Sequence, residues 1–149
     1  MKVLTITAEN FRPYGCLIDF PRKDTHAAKG NLFRIVLTQA QRVGWRIAYL
    51  VTRDKAIDTL EQHTDTYESF EPVKGGSLLY VSRKKDARAI RCFCLDKPVI
   101  LKKGIWHGVV AKGRESEIKI TENAQVKCIY WKPGARLDSR GMVRAAEDK

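Results

Sequence analysis

Apolar residues in this chain come in short runs rather than in helical stripes. Segments rich in β-branched, aromatic and leucine residues recur at 32–37, 45–51, 78–81, 89–95, 98–101, 105–110 and 126–131. Breaks rich in Gly, Pro, Asp and Lys separate them, which is the pattern of strands joined by turns. Residues 115–121 alternate polar with apolar, so a half-exposed strand is expected there. The helical signal is confined to the N-terminus, where Thr7 can cap a short helix and Asn10 holds the capping-box position. The polar sequence from about 136 onward is expected to fray. No repeat, linker or change of composition interrupts the chain, so residues 1–149 are expected to form one domain. Many short strands in one domain predict an all-β sandwich or barrel. A double-sheet jelly roll leads, because its sheets can enclose a small-molecule pocket.

Composition changes this picture little. With 28 Lys and Arg against 17 Asp and Glu, the formal charge of +11 favours anionic partners without choosing among them. The cationic residues are scattered, and neither an aromatic RNA-binding motif nor a basic helical stripe accompanies them. A small anionic substrate is therefore expected rather than nucleic acid. No run of about 18 apolar residues predicts a membrane helix. The N-terminal sequence lacks the pattern of a secretory signal, so a soluble cytoplasmic protein is expected. Cys16, Cys92, Cys94 and Cys128 form no C-x-x-C pair, and reduced apolar thiols are the reading for them.

The chemistry concentrates in EQHTDTYESFEPVKGG, residues 61–76, which holds one of only three histidines. On a strand, Glu61 and His63 share a face. A polar bend at 64–66 can return a second strand so that Glu68 lies beside His63, and Gly75 and Gly76 can reverse the chain again. Farther on, Gly104 predicts a turn into a strand that carries His107. His26, in the polar run 22–30, reads as an exposed loop residue. The spacing E-x-H-x4-E followed by G-x-x-H resembles the two motifs of cupins, with Glu61 where a first histidine is usual and Lys102 where proline is. Glu61, His63, Glu68 and His107 could thus hold a divalent metal. The alternative, which is the expectation here, is a hydrogen-bonded acid–base cluster without a cofactor.

The longer pattern is similar to that of the ureidoglycolate lyase family within the cupin superfamily. FRPYGCLI at 11–18 resembles its F-x-x-[YF]-G-x-[VL]-I opening. Residues 60–75 resemble its L-E-R-H-x3-[ST]-Q-x-F-[IV]-P-[ML]-x-G signature, RCF at 91–93 its R-A-F strand, and GIWH at 104–107 its G-x-W-H. Departures fall at 101–102, at 108–110 and at Glu68, where glutamine is common. The resemblance implies a cupin-like double-sheet jelly-roll barrel with a short N-terminal helix, pairing as a homodimer. It implies a carbon–nitrogen lyase that splits ureidoglycolate into glyoxylate and urea. His63, Glu68, His107 and Lys102 would carry the acid–base steps. Arg91, Lys74, Tyr80 and Trp106 would bind the substrate, Arg91 through its planar fork. The alternatives are a metal-dependent cupin isomerase or oxygenase on another small substrate, and a non-enzymatic binder of small anions or sugars.

Overall fold

The strands nest about one hairpin. In this computed structural model, which describes residues 1–21, 29–141 and 143–145, β7 (Ser77–Ser82) and β8 (Arg91–Cys94) form the tip, with Leu79 opposite Phe93. Moving outward from that tip, β6 (Glu68–Lys74) pairs with β9 (Val99–Leu101), and β5 (Leu60–Gln62) with β10 (Trp106–Ala111). The outermost pair is β3 (Trp45–Thr52) with β11 (Ser116–Asn123). This long antiparallel ribbon folds over into two sheets. One has the order β1-β8-β7-β10-β5-β12, and the other β2-β9-β6-β11-β3. The flanking strands are β1 (Val3–Thr5), β2 (Gly15–Leu17) and β12 (Ile129–Trp131). Nested pairing divided between two facing sheets is the jelly roll, so the expected fold class holds.

Between the sheets lies a core that includes Phe11, Phe70, Leu79, Val81, Phe93 and Ile118. A second cluster, including Leu78, Tyr80, Cys92, Trp106 and Leu137, lies on the outer face of the six-stranded sheet. A small third sheet, β14-β13-β4, is built from β4 (Ala56–Ile57), β13 (Ala135–Asp138) and β14 (Val143–Ala145), and it supplies Leu137 and Ile57 to that cluster. The chain just beyond 135 therefore does not fray as expected. Leu137 is fully buried, and its burial fixes β13 against the barrel. The short helix α1 (Ala8–Phe11) forms as predicted, capped by Thr7 with the reciprocal Asn10 bond. All four cysteines are free, and burial pushes the Cys92 thiol up to about 11, as suits an inert core thiol.

Two expectations need correction. Residues 32–37 form no strand, although they are rich in β-branched and aromatic residues, because no partner strand among the described residues pairs with them. The strand that follows the bend at 64–66 does not pair back on the first: β5 and β6 belong to opposite sheets, and the bend crosses between them. His26 lies outside the described residues.

The glycine of the FRPYG stretch has a physical reason. Gly15 faces Leu101 across the β2–β9 pair, and a Cβ there would collide with the Ile100 carbonyl oxygen. Backbone cannot yield as a flexible side chain does. Gly15→Ala should therefore cost at least about 1–3 kcal/mol, read as a lowered midpoint in urea unfolding.

Candidate functional site

His107 lies opposite Glu61 in the β10–β5 register, so the two side chains share the inward face of the six-stranded sheet. Glu68 opens β6 in the facing sheet, and His63 directly follows β5. Backbone bonds tie the two motifs together. The Gly104 N–H donates to the His63 carbonyl at 2.7 Å, and the Gln62 side-chain amide donates to the Gly104 carbonyl at 2.7 Å. Gly104 has a φ of 78°, a left-handed conformation that glycine adopts without steric cost.

The three side chains converge. His107 Nε2 lies 3.0 Å from Glu68 Oε2, and His63 Nε2 lies 3.3 Å from the same oxygen. Glu61 Oε1 is 3.5 Å from His107 Nε2. His63, Glu68 and His107 are all buried, whereas the Glu61 side chain is 38% exposed. The far nitrogen of each ring is fixed. His63 Nδ1 sits 3.1 Å from the Lys127 carbonyl, and His107 Nδ1 sits 2.9 Å from the Ile105 carbonyl. A carbonyl can only accept, so both Nδ1 atoms carry hydrogen. In the neutral rings both Nε2 lone pairs then face a carboxylate oxygen that also only accepts.

Protonation is one way to relieve this conflict. Burial opposes charge on His107, but the pull of Glu61 and Glu68 outweighs it and lifts the ring to about 10. Burial would likewise raise Glu68, yet the two imidazoles bring it down to about 2. His63 is raised more modestly, burial opposing the pull of Glu68. A cation is the other way. Glu68 Oε2 and His107 Nε2 are close, but their mutual direction misses hydrogen-bond geometry, and both are buried without a hydrogen-bond partner. Ligands held about 2.0–2.2 Å from an ion sit roughly 3.0–3.5 Å from one another at tetrahedral or octahedral angles. The separations of 3.0, 3.3 and 3.5 Å match that spacing. Imidazoles whose second nitrogen donates to a backbone carbonyl are also the usual form of histidine ligands. The residues present thus fit a divalent metal.

A cavity of about 270 Å³ adjoins the cluster between the two sheets. Leu50, Phe70, Ile120 and Val109 supply apolar walls, and Thr52, Thr59 and Tyr130 supply hydroxyls. None of these positions stands among the predicted site residues, although period-two spacing places Phe70 on the face of Glu68 and Val109 on that of His107. Tyr130 faces Glu61 in the β12–β5 register. Cys128 was read as inert, but it is exposed, and its sulfur lies within 4.8 Å of ligand atoms of both Glu61 and His63.

Lys102 follows β9 and borders a small void together with His63, Glu68 and His107, but its ammonium donates to the Arg12 carbonyl at 2.6 Å. Four other predicted site residues lie apart from the cluster. Arg91 shares the inward-facing row of His107, with Val81 between them, but its guanidinium donates to the Arg88 and Ile90 carbonyls. Lys74 ends β6, roughly 20 Å along the strand from Glu68 at about 3.3 Å per residue, and pairs with Glu117 at 3.6 Å. Tyr80 and Trp106 belong to the outer cluster, because each is adjacent in sequence to an inward-facing residue. Trp106 packs on Trp131 with ring centroids 5.7 Å apart. The Tyr80 hydroxyl donates to the Asp138 carbonyl at 2.6 Å. Tyr80→Phe should accordingly lower stability by about 1 kcal/mol and leave any ligand binding at the cluster unchanged, as urea unfolding and titration would show.

The fold and the cluster together define a jelly-roll barrel with a buried histidine–carboxylate centre beside a solvent-open cavity. No family model and no curated protein matches the sequence. Among solved structures, the chain is similar to a mutant of Bacillus subtilis oxalate decarboxylase, with 15% identity and a TM-score of 0.46 over 60% of this chain. That match spans only about a quarter, 24%, of the decarboxylase. It is also similar to a dTDP-sugar isomerase from Desulfovibrio desulfuricans G20, with 14% identity and a TM-score of 0.43 over 74% of this chain and 73% of the isomerase.

Proposed function

We propose that this protein is a jelly-roll enzyme that binds one divalent metal ion and acts on a small molecule in the adjoining cavity. His63, Glu68 and His107 would hold the ion, with Glu61 as a fourth ligand. The observation that carries this reading is the pair of Nε2 atoms, each set by a backbone carbonyl at Nδ1, converging on one buried carboxylate oxygen. A bound ion would supply a Lewis acid at the cavity wall, able to polarise a substrate oxygen. The chain's own groups would do the rest. Phe70, Leu50 and Ile120 would exclude water, and the Thr52 and Thr59 hydroxyls would orient a polar substrate.

Ureidoglycolate cleavage is a narrower reading of the same cluster. One observation favours it: His107 Nε2 lies 3.5 Å from Glu61 and 3.0 Å from Glu68, and the pull of these two carboxylates raises the ring, which favours an acid next to two carboxylates when no ion is bound. The cations expected to hold the substrate carboxylate, Arg91, Lys74 and Lys102, are engaged elsewhere.

Two assays separate these readings. Metal analysis after loading with Mn²⁺, Fe²⁺ or Zn²⁺ should give one ion per chain. Ureidoglycolate should yield no glyoxylate above its spontaneous rate. Metal-free protein that releases glyoxylate would overturn the metal reading in favour of the lyase. One ion per chain together with a bound small molecule but no turnover would make the protein a binder rather than an enzyme.

A further inference from the structure

Asp54, Glu61 and Glu68 line the cavity beside His107, and no lysine or arginine does. That is unexpected in a chain with a formal charge of +11. The basic residues gather elsewhere: Arg83, Lys84 and Arg91 border a separate hollow. The cations nearest Asp54 do not enter the cavity either. Arg53 donates to Glu115 at 3.0 Å, and Lys55 lines neither the cavity nor the space next to it. Arg136 borders Asp54 from that neighbouring space, which Asp58 also lines. Among the described residues, no hydrogen bond or ion pair engages the Asp54 side chain.

The three carboxylates stand at two ends of the cavity. Asp54 is exposed at the rim, in the turn between β3 and β4. Its carbonyl accepts from the Ala111 N–H at 2.8 Å. Ala111 lies four residues beyond His107 on β10, which is about 13 Å along the strand at roughly 3.3 Å per residue. Val109 stands between them on the same inward row, and Phe70 and Ile120 continue the apolar wall. At the inner end, Glu68 Oε2 and His107 Nε2 are buried without a hydrogen-bond partner. A ligand lying in the cavity thus meets a polar centre, an apolar middle and a free carboxylate in that order.

Charge decides which ligand fits. A divalent ion with neutral imidazoles supplies two positive charges. Without an ion, His63 and His107 supply two at most. Either way Asp54, Glu61 and Glu68 leave a negative excess. An anionic molecule would add to that excess, and no cation lines the walls to answer it. We propose that the cavity takes a small cationic molecule, an amine with an oxygen donor at its other end, and that Asp54 selects it by pairing with the ammonium. The oxygen lies at the histidine–carboxylate end, the hydrocarbon part lies along Phe70, Val109 and Ile120, and a charge-assisted bond holds the ammonium at the rim. This names the substrate class of the metal-enzyme reading above and rests on it, although the sign of the charge is the same without the ion.

Ligand-observed NMR titration tests it with aminopentanol, pentanediol and hydroxypentanoate, each with its two groups at opposite ends of a five-carbon chain. Each probe is titrated into metal-free protein and into Zn²⁺-loaded protein whose zinc content has been measured. Aminopentanol should bind about 10-fold more tightly than hydroxypentanoate in both forms, with pentanediol between them. Asp54→Asn should weaken aminopentanol roughly fivefold, because solvent screens a pair at the rim, and should leave pentanediol as it was. Equal binding of the three probes, tighter binding of the acid, no binding of the amine, or an undiminished preference for it in Asp54→Asn would overturn the proposal. Protein that takes no zinc yet prefers the amine would support the selection and overturn the metal reading. Protein that takes one zinc per chain yet prefers the acid would overturn the selection alone.

Discussion

Glu68→Ala should abolish tight divalent-metal binding, with a loss of at least about 100-fold in affinity. The prediction follows from position. Among the described residues, Glu68 is the only carboxylate within 3.3 Å of both Nε2 atoms, and its contacts come from the sheet opposite His107. Its removal leaves two imidazoles and the more exposed Glu61. Metal-free protein should suffer as well. His107 is fully buried and keeps its charge through Glu68 and Glu61. Removing one partner of a buried ion pair typically costs about 3–5 kcal/mol, so the urea midpoint should fall clearly. Glu68→Gln keeps the shape and separates the two effects. It should lose the metal as Glu68→Ala does, without opening a cavity. Unchanged metal affinity in either variant would remove Glu68 from the site.

The pH dependence of the metal-free protein should be large and two-sided. Glu68 is depressed from an ordinary 4.5 to about 2. Its stabilising contribution is thus present above pH 4.5 and is lost as pH falls toward 2. His107 is raised from 6.5 to about 10. Its contribution is complete below pH 6.5 and is lost as pH rises toward 10. The cluster therefore stabilises the metal-free fold most between about pH 4.5 and 6.5. The measurement is the difference in unfolding free energy between wild type and His107→Gln across pH 2 to 10. That difference should shrink on both flanks, and a flat difference above pH 6.5 would refute the charged His107. A metal reverses the alkaline trend. The ion must displace the His107 proton, so affinity should rise with pH through the neutral range.

Much of this was legible in the sequence because period-two spacing fixes faces. Glu61 and His63 flank one residue, the polar bend after them is short, and His107 follows a glycine turn. These features brought the cluster together as expected. The misplaced residues share a different cause. Every residue of β7 is buried, because the third sheet covers the outer face of the barrel. Alternation therefore gives no hint that Tyr80 points outward while Val81 points inward. For Trp106 the hint existed, since it adjoins inward-facing His107 and must take the other face. Arg91 has the correct face but the wrong neighbourhood, which depends on strand order, and strand order is not written in local pattern. Residues 32–37 read as a strand from propensity alone, yet a strand needs a partner, and pairing is a property of the assembled sheet.

The most direct test of the metal centre is calorimetric titration of Zn²⁺ or Mn²⁺ into metal-free protein at pH 7, in two buffers that differ in ionisation enthalpy. The expected result is one ion per chain with about one proton released per ion, because His107 starts protonated and must yield its proton. His63→Ala and His107→Ala should each abolish that binding. Absence of a binding heat in wild type, or binding that survives both substitutions, would contradict the account.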